Sequence, residues 1–573
     1  MSPANSREVL MDPIEESHDE HNENKFIDAL KTPNFNCHQY TLVRDQFRKP
    51  RTVEVITHLK LFKAFRVLKK RVLGETDREL EHEDATKLKT WQVFVTTSIR
   101  RFIIFINALY SKIKDEPTEK SRYVAFNLIM NSLSSPLDVL MVWHSLSLNS
   151  AFFHDVMTRS EFTEFLGYPF PWSAINEAVH NYSFEYLPSW NLQKNYISVL
   201  RDAGYETGGF HLDFMDTPLV VDVYCPGCSR LLAESVEMSN SQNTGFADYG
   251  FSTKVGRKQT ECKCSGLSDI SHDVLRKLQL YKDVDDERPL LGCVERNLLS
   301  SRDLSLLREV LKYLLTNHPE YTVVQIAQEA FKRVKDPVSQ RVFAKNYVFL
   351  NLIHCTVPHA TLQIHRDLVT AIVRQEQFMH DILKIRLLHD SEIVDIIKQS
   401  MIKYTNFISM HNEYKNVLLY PTLEIDMILK TTQLSNPATI NVFYQRTSHM
   451  FIQESDLEVA FPETLAKYSK KFEHYVSTCG CALCQTLKKP HRVKVNSFWK
   501  KTLGAIKRNK GATGEVEQTI IRPISLTHPS LNYCWFSRNS FSTKYDDNFI
   551  KEHIIYSGAC VNSPFVSPIE IEK

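Results

Sequence analysis

Four cysteines in the middle of the chain have the spacing of metal ligands. Cys225 and Cys228 are separated by a Pro-Gly pair, which permits the turn needed to direct both sulfurs to one ion. Cys262 and Cys264 follow them and would complete a set of four thiolates. Because zinc accepts tetrahedral sulfur ligands, the sequence predicts a structural zinc site in this segment.

A metal would also explain how this segment folds. Residues 206–268 are rich in glycine and polar residues, and they offer few apolar side chains for a core of their own. Metal coordination supplies folding free energy to such segments. The spacing between the two pairs is longer than in common zinc ribbons, and Cys-x-Cys is less usual than Cys-x-x-Cys. A degenerated site with free thiols, or a redox or catalytic site, is therefore the alternative.

A second cysteine cluster lies nearer the C-terminus. Cys479, Cys481 and Cys484 offer three ligands, and His474, His491 or a distant cysteine could supply a fourth. These residue types also favour zinc. A thiol cluster without metal is the alternative, because no fourth ligand stands at a typical spacing.

Asp138, Trp143 and His144 share one predicted helix and are the candidates for a ligand pocket. The alternative for His144 is a hydrogen-bonded core residue, since buried polar groups are normally hydrogen-bonded. Asp138 lies six positions before His144, so the two side chains are not neighbours at the helical spacing of three or four. The pattern does not predict an acid–base dyad.

A basic stretch without acidic residues lies between positions 488 and 510. Aromatic residues are interleaved with its cations, a pattern typical of stacking on bases and contact with phosphates. The candidate nucleic-acid contacts are Lys488, Lys489, Arg492, Lys494, Trp499, Lys500, Lys501, Lys507, Arg508 and Lys510. Nuclear import, contact with anionic lipids and a solvated segment are the alternatives.

Signatures of common catalytic sites are missing from the sequence. The chain has no P-loop, no G-x-S-x-G, no His-Glu-x-x-His and no G-x-G-x-x-G motif. Its net charge of +2 does not favour a surface devoted as a whole to nucleic acid. We therefore expect a non-enzymatic protein, and an enzyme with a pocket near Asp138 and His144 is an alternative.

Hydrophobic periodicity predicts a mainly α-helical fold. Apolar residues at Ile56, Leu59, Phe62, Phe65 and Leu68 recur at intervals of three along one helix. Only 16 glycines in 573 residues suit long helices with few tight turns. Further helices are predicted over about 84–112, 120–133, 191–201, 272–280, 304–315 and 323–334, with another beginning at Pro136.

The first of these helices also has a basic face, formed by Lys60, Lys63, Arg66, Lys69 and Lys70. Such a face is usually solvated. Contact with an anionic membrane or with RNA is the alternative.

The chain divides into five predicted regions. They are an acidic disordered tail (1–45), an N-terminal helical domain (46–205), a Cys-rich insert (206–268), a second helical domain (269–485) and an irregular, partly basic region (486–573). A short β-branched run at 219–224 predicts a strand that leads into the first cysteine pair. The predicted fold class is a multi-helix scaffold with a small β/loop, Cys-rich insert.

Two segments of the chain resemble each other. Pro136 to Asn149 and Pro421 to Asn436 both carry a proline, an acid, an apolar run and a closing asparagine. The similarity predicts a duplicated helical unit. Two unrelated amphipathic helices that begin with proline and an acid are the alternative.

Several short motifs follow one another in a fixed order along the chain. They are Leu137 to Val139 with Trp143-His144, Cys225 with Cys228, Thr244 to Asp248, Cys262 with Cys264, Ser271 to Arg276, Pro421 to Asp426, and Cys479 to Cys484. In this order they resemble the glycine-rich domain-containing protein-like family, in its fungal branch. The resemblance covers roughly residues 50–490, and it implies no established catalytic activity.

The resemblance departs from the family pattern in three places. A second Trp-His-Thr-His segment of the family is represented here by residues 429–432, where Lys430 and Thr432 replace the two histidines. The second cysteine pair is Cys-x-Cys, and the glycine-rich tail of the plant members is not found. A role that needs those two imidazoles is therefore not implied for this chain.

Together these patterns predict an intracellular interaction or regulatory protein with a zinc-stabilised insert and unidentified protein partners. A protein that binds RNA or DNA through residues 488–510 is the main alternative. The N-terminal stretch lacks the apolar region of a secretory signal, and no apolar run is long enough to span a membrane. We expect a cytoplasmic or nuclear location.

Overall fold

Helices dominate the part of the chain that the structure describes. This computed structural model describes residues 49–75, 85–205, 209–212, 220–255, 263–264, 267–291, 301–334, 343–348, 350–364, 368–384, 387–414, 419, 421–435, 464, 466–468 and 470–472. Its strands are short and confined to the central insert. The predicted fold class is therefore confirmed, whereas the domain boundaries stay predictions.

Seven α-helices precede the insert within the described residues. They are α1 (Thr52–Leu73), α2 (Ala85–Ile113), α3 (Glu119–Ser132), α4 (Leu137–Ser147), α5 (Ser150–Arg159), α6 (Trp172–Ala178) and α7 (Trp190–Asp202). Six more follow it in the described chain. They are α8 (His272–Asp285), α9 (Ser301–Asn317), α10 (Val323–Arg333), α11 (Leu368–Lys384), α12 (Ile393–Glu413) and α13 (Leu423–Ser435).

Local sequence explains where α1 and α4 begin and end. Glu54, in the first turn of α1, accepts a hydrogen bond from the Arg51 backbone N–H at 3.1 Å. Gly74 follows the helix at a φ of 65°, a left-handed conformation that favours glycine. Pro136 directly precedes α4, where its missing N–H removes no helical hydrogen bond.

The insert contains two small antiparallel sheets. β1 (Val220–Tyr224) pairs with β2 (Leu231–Glu237), and β3 (Ser252–Lys254) pairs with β4 (Asp269–Ser271). The strand predicted at 219–224 is therefore present. Because α8 begins directly after β4, the insert is fixed to the helical scaffold without an intervening loop.

The buried apolar side chains form one continuous cluster that runs from α1 to α13. Helix α2 lies inside it, with Phe102, Phe105 and Ile106 fully buried. Its Lys87–Ile113 stretch is long and apolar enough to cross a membrane, but 72% of its most apolar window is buried inside the fold. Burial of this kind is what a core helix of a globular protein shows.

The basic face of α1 is partly covered by other helices. Lys60 is buried, and its ammonium donates to the backbone oxygen and the Oδ1 of Asn176 in α6, at 3.1 and 2.7 Å. Lys69 forms an ion pair with Glu376 of α11. The prediction of a solvated face was therefore wrong for Lys60, because α6 packs over that side of the helix.

Gln433 of α13 closes the C-terminal end of α4. Its side-chain amide donates to the carbonyl oxygens of Ser147 and Leu148 at 3.1 and 2.7 Å. Carbonyls in the last turn of a helix have no helical partner and need another donor when they are buried. Gln433 is itself buried, so a contact between residues 286 positions apart completes the end of a central helix.

We expect Gln433→Leu to lower the free energy of unfolding by about 1–3 kcal/mol, because it leaves buried carbonyls without a donor. Equilibrium unfolding in urea measures the change. Gln242→Leu is the control, because Gln242 is exposed, and it should change the free energy by less than about 0.5 kcal/mol. Equal effects of the two substitutions would show that the contact with α4 contributes nothing.

Candidate metal centre

Three of the four central cysteines converge on one point. The sulfurs of Cys225, Cys228 and Cys264 all lie within 4.8 Å of one another. The Cys228 and Cys264 sulfurs are 3.6 Å apart, which is too far for a disulfide. Two sulfurs at tetrahedral positions around one ion, each about 2.3 Å from it, would lie about 3.8 Å apart. The three thiols can therefore hold a metal ion.

The turn between β1 and β2 positions the first two sulfurs. Cys225 follows the last residue of β1, and its carbonyl oxygen accepts a hydrogen bond from the Ser229 N–H at 2.8 Å. Within this turn the Gly227 N–H donates to the Cys225 sulfur at 3.3 Å. A hydrogen bond to the charged form of a group favours that form. The backbone of the turn thus supports a thiolate at Cys225.

Helix α8 holds the same turn from the other side. The Lys282 ammonium donates to the Gly227 carbonyl oxygen at 2.8 Å. Lys263, next to Cys264, lies over the Tyr281 ring with its nitrogen 5.1 Å from the ring centre. These cations would offset the negative charge of several thiolates at one site. Cys225 and Cys264 are buried and Cys228 is exposed, so the cluster opens to solvent on one side.

Other predicted site residues lie outside the described part of the chain. Cys262, the fourth predicted ligand, is one of them, and so is the second cluster of Cys479, Cys481 and Cys484. The basic stretch at 488–510 lies outside it as well. Their roles stay predictions.

A buried carboxylate organises the loop between β2 and β3. Asp248 accepts hydrogen bonds from the Ser239 hydroxyl at 2.6 Å and from the Asn240 and Gly245 backbone N–H groups at 2.9 and 3.0 Å. Lys89 of α2 lies 3.3 Å from the same carboxylate. Sequence reasoning did not single out Asp248 as a site residue, although it closes the predicted Thr244 to Asp248 motif. The loop also has apolar anchors that the sequence analysis did not predict, because Met238, Phe246 and Phe251 are buried in the main apolar cluster. The Asp248 carboxylate fixes the polar part of the loop.

Gly245 is required by the same arrangement. A Cβ atom at this position would lie 2.6 Å from the Ser239 Cα and 2.9 Å from an oxygen of Asp248. Such contacts are too short for any side chain, so the loop can close only around glycine. Gly245 thus allows the backbone of its motif to lie close to the backbone at Ser239.

His272 joins this loop to α8. Its Nε2 lies 2.8 Å from the Phe246 carbonyl oxygen, and its ring packs against Phe251 with ring centres 5.0 Å apart. Burial, together with the charge of Arg276, lowers the pKa of His272 to about 3. The ring is therefore neutral at ordinary pH and acts as a structural donor to the loop. The motifs at 244–248 and 271–276 therefore contact each other through the hydrogen bond between His272 and Phe246.

We expect Asp248→Ala to lower the free energy of unfolding by about 2–4 kcal/mol, since three donors lose a charged acceptor. Equilibrium denaturation measures this loss, and limited proteolysis should show earlier cleavage within residues 237–255. Asp269→Ala removes an exposed carboxylate of the same insert and should have little effect. If both variants resist proteolysis like the parent, Asp248 does not organise the loop.

The structure gives Asp138 and His144 separate partners. Asp138 forms an ion pair with Arg101 of α2 at 2.8 Å. The Nε2 of His144 lies 2.7 Å from the Nε2 of His58 in α1. Trp143 packs against Phe170 with ring centres 4.9 Å apart. Asp138 and His144 are thus not brought together, and a ligand pocket around them stays a prediction.

A comparison with known families gives a match that begins at the end of α9 and includes α13. Residues 315–439 match the family model described as glycine-rich domain-containing protein-like. This match confirms the predicted resemblance to the family over these residues. The matched region includes α13 and Gln433, whose contacts with α4 link it to the earlier motifs of the family pattern. Assignment to the fungal branch stays a prediction.

No curated protein matches the chain. No solved structure matches it either.

Proposed function

We propose that this protein is a non-enzymatic interaction or regulatory protein, a helical scaffold whose central insert is stabilised by a zinc ion. The convergence of the Cys225, Cys228 and Cys264 sulfurs carries this proposal. Cys262 would be the fourth ligand. The ion would fix the turn between β1 and β2 against α8.

The chemistry of the ligands favours zinc in a structural role. A set made of thiolates alone suits zinc or an iron–sulfur cluster. Structural zinc sites are closed by four protein ligands, whereas catalytic zinc sites keep one position for water and commonly include histidine or carboxylate. Four cysteines around one ion would make the first kind of site. Thiolate ligands persist in reducing compartments, so we propose a cytoplasmic or nuclear location.

The use of buried polar groups supports a scaffold. Asp283 of α8 is paired with Arg159 of α5 at 2.5 Å and accepts a hydrogen bond from the Tyr347 hydroxyl at 2.8 Å. His144 and His272 likewise contact groups of other elements. In each case a titratable side chain joins segments that are distant in the sequence, which is what a rigid binding platform needs.

Exposed apolar side chains on the N-terminal helices support protein partners. Leu128 of α3 is 67% exposed and Trp190 of α7 is 72% exposed. The Asn195 side chain of α7 donates to the Ser132 carbonyl oxygen at the end of α3, so the two helices adjoin. Large apolar and aromatic side chains in such positions are typical of protein contact surfaces.

We expect Cys225→Ser to reduce the zinc content of the purified protein by one ion per chain and to lower its melting temperature, because one thiolate ligand is lost. Elemental analysis by mass spectrometry and calorimetry of the same sample measure both effects. Cys355→Ser is the matched control, since Cys355 is also buried but is not one of the three converging thiols. It should keep the full zinc content whatever it does to stability. Unchanged zinc in Cys225→Ser would refute the site.

Purification of the full chain from its own cells should yield stoichiometric protein partners. Leu128→Lys and Trp190→Lys place charges on the exposed apolar residues and should reduce the recovered partner at least tenfold, since a buried charge opposes binding. Glu309→Lys, which places a lysine at an exposed position on α9, is the control. A chain that is recovered alone from native extracts would contradict the proposed role.

A further inference from the structure

Two buried histidines join three helices at the centre of the scaffold. The Nε2 atoms of His58 in α1 and His144 in α4 lie 2.7 Å apart. On its other side, His58 Nδ1 lies 2.9 Å from the Thr431 hydroxyl of α13. All three side chains are buried. Sequence patterns did not single out His58, because a lone histidine within an amphipathic helix carries no spacing signal.

The hydrogen bonds fix where each ring carries its proton. The Thr431 hydroxyl donates to the Met427 carbonyl oxygen at 2.9 Å, and a carbonyl can only accept. The hydroxyl must therefore accept from His58, which places a hydrogen on His58 Nδ1. A neutral His58 then has its lone pair on Nε2, so the hydrogen in the shared contact belongs to His144 Nε2. His144 Nδ1 is consequently unprotonated.

Burial and the Lys430 charge oppose a further proton on the pair, and they outweigh a hydrogen bond between Gln375 and His144 that favours one. The groups that face it from the packed helices are Gln375 of α11, Trp172 of α6, and Lys430 of α13 with its ion-pair partner Asp426. Burial, with the charge of Lys430 adding to it, lowers the pKa of His144 to about 3. Burial also holds the pKa of His58 well below its usual value, with His144 and Lys430 adding to the effect.

We propose that the His58–His144 pair is an acid-sensitive latch that holds α13 against α1 and α4. Two ring nitrogens can take a proton. A proton on His58 Nε2 would set two N–H groups against each other at 2.7 Å, since an imidazolium only donates. A proton on His144 Nδ1 would create a buried cation beside the Lys430 ammonium. Either event breaks or destabilises the contact between the helices.

The direction of the pH dependence follows from proton linkage. Both rings are neutral in the closed junction, whereas an opened junction takes up protons below the ordinary histidine pKa of about 6.5. The latch is therefore fully closed above about pH 6.5. It weakens as the pH falls towards 3, the pKa of His144 in the folded protein. Each histidine can increase the opening constant by up to about tenfold per pH unit in this window.

Hydrogen–deuterium exchange of the full chain tests the latch. After correction for the intrinsic pH dependence of exchange, the opening constant of Leu423–Ser435 should rise at least about tenfold from pH 6.5 to 5.5 in the parent protein. In the double variant His58→Gln/His144→Gln this rise should disappear. Glutamine suits both positions, because its amide oxygen can accept at 58 and its amide nitrogen can donate at 144.

His272→Gln is the matched control, because it removes another buried histidine that does not touch α13. It should leave the acid response of Leu423–Ser435 as in the parent. A pH-independent α13 in the parent, or the same acid response in the double variant, would overturn the proposal.

A second measurement on the parent protein keeps the test decisive if the double variant does not fold. Nitrogen-15 spectra of labelled histidines at pH 7 should show His58 protonated at Nδ1 and His144 protonated at Nε2. Any other arrangement of the two protons would also overturn the latch.

Discussion

Complete burial of α4 is the constraint on which the rest of the scaffold depends. All of its residues are removed from solvent, so each of its polar groups has to find a partner inside the protein. Arg101 of α2 pairs with Asp138, and His58 of α1 contacts His144. Gln433 of α13 donates hydrogen bonds to the carbonyl oxygens at the C-terminal end of the helix. Helices α1, α2 and α13 are thus held together because each supplies a partner for a buried polar group of α4.

The insert combines buried polar contacts with apolar side chains that join the main cluster, among them Val223, Met238 and Phe246. Its loop closes around the Asp248 carboxylate, with Gly245 allowing the backbones to approach and His272 tying the loop to α8. The thiols of Cys225 and Cys264 belong to the same insert, and Lys282 of α8 contacts the turn that follows Cys225. A metal at those thiols would add a further restraint on this turn.

Several motifs that are separate in the sequence become parts of single contacts. The segment around His144 and the segment around Thr431 are the two halves of the internal similarity, and they meet through His58. Lys430, which stands where the family pattern has a histidine, contributes a charge beside that contact instead of a ring nitrogen. Packing of α1, α4 and α13 thus brings together segments that are far apart along the chain.

Periodic apolar residues were sufficient to predict the helical class, the approximate bounds of α2 and α3, and the strand at β1, because these depend on neighbours along the chain. Cysteine spacing likewise singled out Cys225, Cys228 and Cys264, whose sulfurs lie within 4.8 Å of one another. The burial of Lys60, the role of Asp248 and the pairing of His58 with His144 were not predictable in this way. Each depends on a partner far away in the sequence, and only the packing of the helices decides which polar groups lose contact with water and which residues then satisfy them.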